Sequence, residues 1–181
     1  CYPAKMAHGH IQALSNKGVP NIVYPSVLFE QKEQKNAQNH FNCPIVQSYP
    51  EVIKNNIDEI REGQVNYFHP FINLADPAGV AVNIHKMLLE QGIVVALEEV
   101  QEAVTHGFEE MDKFKEDLRL KAEDLLMQIN LNNEKAIVLA GRPYHLDPEI
   151  NHGIADIITQ EGFHVLTEDS ISHLAEVSGL R

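Results

Sequence analysis

The segment 136–151 constrains the fold more than any other part of the sequence. Its apolar run 136–140 is typical of a parallel strand buried on both faces. Gly141 ends this run, Asp147 offers a side-chain acceptor as a helix N-cap, and Pro148 fits the first helical position. A strand that enters a helix through a short loop is the repeating step of α/β folds. The sequence therefore predicts an α/β fold.

The residues after this loop complete a β-α-β unit. We predict a helix over 148–161, which Gly162 ends, and a second strand over 163–166. Parallel strands joined by one helix imply a right-handed crossover. The segment 167–170 then begins another loop and helix, for which simple capping is the favoured interpretation.

The loop after the first of these strands carries side chains suited to chemistry. Arg142, Tyr144 and His145 lie between strand and helix, and Asn151 lies in the first helical turn. Ligands bind at the carboxyl ends of the strands in open α/β sheets. Arg142 suits a carboxylate or phosphate, and His145 suits proton transfer near neutral pH. The alternative is structural: Arg142 pairs with an acid to lock the loop, and the two rings pack beside it.

In the rest of the chain, the sequence predicts helices and strands on either side of a long amphipathic segment. Residues 97–130 form one long helix, or two with a break near Gly107, because apolar side chains recur at intervals of three and four. This pattern suggests a first α/β lobe over 1–96, a helical connector over 97–133 and the start of a second lobe over 134–181. Within the first lobe we predict helices over 3–17, from Pro50, and from Pro77 with Asp76 as its cap. We also predict strands over 21–24 and 65–72, the second interrupted by Pro70.

Charge and motifs exclude several classes of function. A formal net charge of −12 argues against nucleic-acid binding, which needs a basic face. No apolar run approaches the roughly 20 residues of a membrane span. The glycines match neither the phosphate-binding P-loop nor the dinucleotide-binding fingerprint, so no nucleotide hydrolysis is expected of this segment.

The two cysteines, Cys1 and Cys43, are candidate metal ligands. Two cysteines are too few for a disulfide scaffold of this size, so we expect a reducing cytoplasm. Cys1 precedes a predicted helix and Cys43 precedes Pro44, and a helix N-terminus favours the thiolate that binds metals. The alternative is that both are buried, inert cysteines.

These residues resemble the 2-hydroxyacyl-CoA dehydratase-like iron–sulfur family. The resemblance is to the dehydratase-like region of CoA-substrate-specific enzyme activases, which are activators of 2-hydroxyglutaryl-CoA dehydratase. It covers nearly the whole chain, and the Gly-Arg-Pro-Tyr-His run is its most specific part. The residues that carry it are Cys1-Tyr2-Pro3-Ala4-Lys5 with His8-Gly9-His10, Asn42-Cys43-Pro44 with Ser48-Tyr49-Pro50, and Gly141-Arg142-Pro143-Tyr144-His145 with Asp147-Pro148-Glu149-Ile150-Asn151.

The resemblance implies flavodoxin-like, three-layer lobes with parallel sheets, joined by long helices, in a fragment of a larger cytoplasmic protein from an anaerobic bacterium. It also implies a [4Fe–4S] cluster with Cys1 and Cys43 among its ligands. Arg142, Tyr144, His145 and Asn151 would then face the cluster or a substrate. The segment alone would be inactive, and its partners would be an ATPase domain, in the same protein or a partner chain, and an acyl-CoA dehydratase-like enzyme.

The sequence departs from the family in its cysteines: the family has three or more ligands per cluster, and this chain has two. Two alternatives therefore stay open. The chain is a docking or structural module that kept the fold without the cluster, or it holds a metal-free acyl-CoA or organic-acid site built on Arg142 and His145. In the cluster interpretation, we expect the loop 141–145 to lie on the same edge of the molecule as both cysteines.

Overall fold

The computed structural model describes residues 2–32 and 39–175, with backbone alone for Tyr2 and Pro143. Its helices and strands in chain order are α1 (Tyr2–Asn16), β1 (Asn21–Val23), β2 (Ser26–Phe29), α2 (Pro44–Asn56), α3 (Asp58–Arg61), β3 (Asn66–Phe68), β4 (Phe71–Asn73), α4 (Pro77–Glu90), α5 (Leu97–Asn132), β5 (Ala136–Leu139), a 3-10 helix (Pro143–Leu146), α6 (Pro148–Asn151), α7 (Ile154–Gln160), β6 (His164–Thr167), α8 (Glu168–Ile171) and a second 3-10 helix (Ser172–Leu174).

All the named strands pair in parallel. Strand β1 pairs with β3, β2 with β4, and β5 with β6. Helices connect the strands of each pair, so the prediction of an α/β fold is confirmed. In the part of the chain that the structure describes, each sheet has two strands. The complete three-layer, flavodoxin-like lobes therefore stay a prediction.

Two prolines divide what is otherwise one long strand pair. The same register relates β1 to β3 and the start of β2 to β4, and it places Pro25 opposite Pro70. Tyr24 N–H donates to Phe68 O at 2.8 Å and Ser26 N–H donates to Pro70 O at 2.9 Å, so the pairing continues on both sides of the gap. Pro70 has no N–H for the bond that would complete the ladder there.

The described chain divides into two compact units, with the boundary between Phe108 and Glu109. The core of the first unit consists mainly of isoleucine side chains from α1, β1, α2 and the segments that follow it. Ala7, Val19, Tyr24 and Tyr67 pack around this core. Its buried members are Ile11, Ile22, Ile53, Ile57, Ile60 and Val65.

Helix α2 begins earlier than the sequence indicated. We predicted that Pro50 would occupy its first position, and this is wrong: the helix starts at Pro44, with Cys43 as the N-cap residue. Both prolines fit a first turn, but Pro50 lies inside the helix, fully buried. The packing of its ring offsets the backbone hydrogen bond that a proline cannot donate.

Helix α5 is continuous from Leu97 to Asn132, so the alternative of a break at Gly107 is wrong. An exposed glycine in a helix costs only about 1 kcal/mol relative to alanine. The long amphipathic pattern outweighs that cost. Among the residues that the structure describes, no helix combines the length and apolar character that crossing a membrane requires.

The second unit contains two departures from the sequence pattern. Strand β5 was predicted to be buried on both faces, but Ile137 and Val138 are exposed, because β6 is its one partner within the described residues. The predicted helix 148–161 is interrupted at His152 and Gly153, whose φ angles of 54° and 73° are left-handed. Two short helices, α6 and α7, replace one long helix.

Candidate functional site

A pocket of about 290 Å³ lies at the carboxyl ends of β5 and β6 in the second unit. The segment after β5, the end of β6 and the start of α8 supply most of its polar side chains, and α6 and the start of α7 supply part of its apolar wall. This is where parallel α/β sheets bind ligands. The polar side chains that line it belong to Arg142, His145, Asn151, Thr167, Glu168 and Asp169, and the apolar ones include Leu139, Leu146, Ile150 and Ile154.

His145 is held against the backbone of its own loop. Arg142 N–H donates to Nδ1 of His145 at 3.1 Å, and His145 N–H donates to Arg142 O at 2.8 Å. Since Nδ1 accepts a hydrogen bond, the proton of the neutral ring sits on Nε2. The loop therefore presents His145 as a hydrogen-bond donor.

Gly141 makes this arrangement possible. A Cβ atom at this position would lie 2.7 Å from Nδ1 of His145 and 3.5 Å from its Cγ. The φ angle of Gly141 is outside the left-handed region, so it is the ring and not the backbone that requires glycine. The sequence pattern of a glycine four residues before a histidine thus has a direct steric reason.

The other predicted residues of the loop have different roles. Arg142 takes part in none of the ion pairs found among the described residues, so the locking ion pair of the structural alternative is not seen there. Tyr144 packs edge-on against His145, with ring centroids 4.3 Å apart, and is not among the lining residues. Asn151 supports the helix interruption, because its Oδ1 accepts from Gly153 N–H at 2.8 Å.

Local capping explains the rest of the loop. Asp147 accepts hydrogen bonds from the N–H groups of Glu149 at 2.9 Å and Ile150 at 3.3 Å, as predicted for an N-cap residue. Ser170 is buried, and its hydroxyl donates to Thr167 O at 2.8 Å. That bond fixes the turn that brings Glu168 into the pocket wall.

Of the two candidate metal ligands, Cys1 lies outside the described residues and Cys43 is exposed. Cys43 occupies the N-cap position of α2, and its N–H is bonded to the side-chain oxygen of Asn42 at 2.9 Å. Asn42 N–H in turn donates to Leu28 O at 3.0 Å, near the end of β2. Within residues 2–32 and 39–175, no three histidine, cysteine or acidic side chains converge where they could hold a metal ion.

The order of elements indicates that α1 and α2 begin on the same side of the first unit. Helix α1 leads into β1, and α2 with α3 leads into β3, while β1 and β3 are parallel. Gln12 Nε2 donates to Glu59 Oε1 at 3.0 Å, which joins the later part of α1 to the segment after α2. The bond from Asn42 to Leu28 places the start of α2 near the end of β2, and the order of elements indicates the same side for the start of α1.

The first unit contains a second polar group, around His69. Nδ1 of His69 lies 2.9 Å from Oε1 of Glu51, at an angle outside that of a directional hydrogen bond. The ring of His69 also stacks on Tyr67, with centroids 5.5 Å apart. Tyr67 donates from its hydroxyl to Pro50 O at 3.1 Å, and burial raises the pKa of this phenol well above its usual range.

His69 lines a pocket of about 370 Å³ beside β3, β4 and α4. No motif in the sequence signalled this group, since its members come from elements that are distant along the chain. Cys43 and this pocket belong to the first unit, and the loop 141–145 belongs to the second. The expectation that the loop and the cysteines share an edge therefore stays a prediction.

Residues 1–171 match the family described as "CoA enzyme activase uncharacterised domain" (DUF2229). The chain belongs to this CoA enzyme activase family. Neither a search of curated proteins nor a search of solved structures found a match. Membership of the CoA enzyme activase family agrees with the family part of the resemblance, and the iron–sulfur character goes beyond it.

Proposed function

We propose that this chain is an iron–sulfur cluster-binding, electron-transfer segment of a 2-hydroxyacyl-CoA dehydratase activator-like CoA enzyme activase. The observation that supports the proposal is the exposed Cys43 at the N-cap of α2, and the sequence places Cys1 directly before α1 in the same way. Helix N-termini favour thiolates, and clusters need ligands at the ends of rigid elements.

The donor set fits a cluster in part. Cys43 is exposed at the start of a helix, with the Asn42 side chain fixing its backbone, so its thiolate can approach iron without moving the core. Cys1 would be the second ligand, and the remaining ligands would come from groups other than the two cysteines of this chain. When bound, the cluster would accept and pass on single electrons at low potential.

The chain's own residues would position and protect the cluster. Asn42 Oδ1 accepts from the N–H of Cys43 and fixes its backbone, and the buried Pro50 anchors the helix that follows. The partners in this proposal are an ATPase domain that drives the electron transfer and an acyl-CoA dehydratase-like enzyme that receives the electron. The cytoplasm, where thiols stay reduced, is the compartment that suits it.

Anaerobic reconstitution with iron and sulfide tests the proposal. We expect a brown protein with bound iron and a broad iron–sulfur absorption band. Both Cys1→Ser and Cys43→Ser should lose most of the band and iron. Ser48→Ala, an exposed change on the same helix as Cys43, should keep both. A Cys43→Ser variant with wild-type iron content, or a colourless product from the full-length parent protein, would contradict the proposal.

A second candidate function is a metal-free acyl-CoA or organic-acid site in the pocket at the ends of β5 and β6. The pocket favours it because Arg142 and the Nε2–H of His145 are donors beside an apolar wall. A carboxylate or carbonyl oxygen would accept from them, and the apolar wall would contact the carbon chain.

Thermal-shift measurements with CoA esters, and with free CoA as the matched ligand, test this second function. A ligand at a hundredfold excess over its Kd stabilises the folded state by about 2.7 kcal/mol. We expect Arg142→Gln to abolish the shift and Cys43→Ser to leave it unchanged. No shift at millimolar ligand would exclude the site, whatever the outcome of the iron reconstitution.

A further inference from the structure

The pocket of the first unit has a donor and acceptor arrangement that neither the family match nor the cluster proposal uses. It lies between the outer edge of the β3–β4 segment and helix α4. Tyr67, Phe71 and Met87 give it an apolar wall, and Lys86 and Glu90 of α4 also line it. A volume of about 370 Å³ suits a small molecule.

His69 is held in one orientation in this wall. Glu51 contacts its Nδ1 at 2.9 Å from one side, and Tyr67 stacks on the ring. In the neutral ring, the nearby carboxylate favours the proton on Nδ1, which leaves the lone pair of Nε2 as an acceptor. Nε2 makes no hydrogen bond to any residue that the structure describes, and the side chain is 20% exposed.

The backbone at the same edge adds further hydrogen-bonding groups. In a parallel strand, successive residues direct their N–H and C=O groups to opposite sides. Phe68 and Pro70 bond to the β1–β2 side, so Tyr67, His69 and Phe71 face the pocket side. Asn83 Nδ2 already donates to Phe71 O at 3.0 Å, which confirms that orientation.

The pocket rim carries one charge of each sign. Lys86 Nζ lies 3.8 Å from Glu90 Oε1, and their side chains are 74% and 62% exposed. Such an exposed pair gains little from its own contact, so a ligand can separate it at low cost. A ligand that complements this rim carries both an anionic and a cationic group.

We propose that this pocket binds a free α-amino acid with an aromatic or large aliphatic side chain. The carboxylate of the ligand pairs with Lys86. Its ammonium donates to Nε2 of His69 and to the Glu90 carboxylate. Its side chain packs against Phe71 and Met87. The site is separate from the cluster ligands and from the pocket that contains Arg142.

Three probes on one carbon skeleton separate the two charges: phenylalanine, 3-phenylpropanoate and phenethylamine. Each missing charged hydrogen bond should weaken binding about tenfold or more. We therefore expect phenylalanine to bind the full chain at least about tenfold more tightly than either analogue in calorimetry. It should also shift the ring ¹⁵N signals of His69.

Variants assign each charge to its partner. Lys86→Gln should weaken phenylalanine about tenfold and leave phenethylamine unchanged, because that probe has no carboxylate. His69→Leu should weaken phenylalanine and leave 3-phenylpropanoate unchanged. Lys54→Gln removes an exposed lysine outside the pocket and is the matched control.

Three results would overturn the proposal: no binding of phenylalanine, equal binding of the three probes, or equal loss of phenylalanine and phenethylamine in Lys86→Gln. Because Lys86 is exposed, we expect Lys86→Gln to fold. Its binding data therefore test the proposal even if His69→Leu does not fold. Phenylalanine should bind Cys43→Ser as tightly as the wild type, because this pocket does not depend on the cluster.

Discussion

Replacement of Gly141 by alanine should disturb the candidate site through a single contact. The new Cβ would lie 2.7 Å from Nδ1 of His145, closer than a real Cβ contact allows. The imidazole must move, and the 3.1 Å bond that Nδ1 accepts from Arg142 N–H is lost. The contact with Tyr144, at 4.3 Å between ring centroids, changes with it.

The magnitude follows from these two contacts. The N–H of Arg142 is exposed and regains water, so the lost hydrogen bond costs about 1 kcal/mol. The ring contact adds about 0.5 kcal/mol. Alanine restricts the unfolded chain and returns about 0.5 kcal/mol. The net destabilisation of Gly141→Ala is therefore about 1 kcal/mol.

A double-mutant cycle with His145→Ala isolates the clash. In the His145→Ala background, Gly141→Ala should stabilise the protein by about 0.5 kcal/mol, which gives a coupling of about 1.5 kcal/mol. Hydrogen exchange of the β5 and β6 amides reports the stability of this unit directly. The ring ¹⁵N shifts of His145 should show the proton on Nε2 in the wild type and a tautomer mixture in Gly141→Ala.

Gly9 supplies a matched control. It lies exposed in α1, and nothing stands within 4 Å of its Cβ position, so Gly9→Ala should stabilise the protein by about 1 kcal/mol. The reasoning about the loop is refuted by a Gly141→Ala variant that is as stable as the wild type and keeps the same His145 signals. Additive effects of the two loop mutations would refute it equally.

Three further changes test the caps, the core and a buried phenol. Asp147→Ala removes the N-cap of α6 and should lower the free energy of urea unfolding by about 1 kcal/mol. Asp112→Ala, an exposed change inside α5, should leave that free energy almost unchanged. Ile57→Ala should cost about 3 kcal/mol, since Ile57 is 1% exposed, and Val94→Ala, 89% exposed, should cost under about 0.5 kcal/mol. Burial raises the pKa of Tyr67 above its usual value near 10, so the folded state keeps the proton and stability is lost as pH rises above about 10. Tyr67→Phe should remove that part of the alkaline loss, and an unchanged pH profile of the urea midpoint would contradict it.

Periodic patterns with a cap were enough to predict several elements. The spacing of apolar residues predicted α1 and α5, and Asp76 with Pro77 predicted the start of α4, where Asp76 accepts from Gly79 N–H. The interruption of the second strand by Pro70 was also predicted. In each case the signal is local, because the residues that decide the structure are within one or two turns of one another.

Structure was harder to predict at positions where two local interpretations fit the sequence equally well. Pro44 and Pro50 both fit the first turn of a helix, and burial of Pro50 decided between them. Likewise, the apolar run of β5 indicated burial on both faces, whereas exposure depends on how many strands surround it. His152 gave no signal of its left-handed backbone beyond the glycine that follows it.

The same distinction applies to the two sites. Gly141, Arg142 and His145 interact within one loop, so the sequence could indicate that they act together. The contact of Glu51 with His69 joins helix α2 to the segment between β3 and β4. Only the register of the strands and the packing of α2 bring these two side chains together, and neither is readable from spacing.

Pro25, between β1 and β2, also affects whether another strand can pair with the edge of this unit. Tyr24 and Ser26 direct their N–H groups inward to the partner strand, so Pro25 occupies an outward-facing position between them. Another strand that paired with this edge would lack a backbone N–H donor at Pro25. Residues 40–42 bond to the outer side of β2, and Pro25 leaves the position before β2 without a donor, so together they limit the edge at which another strand could add.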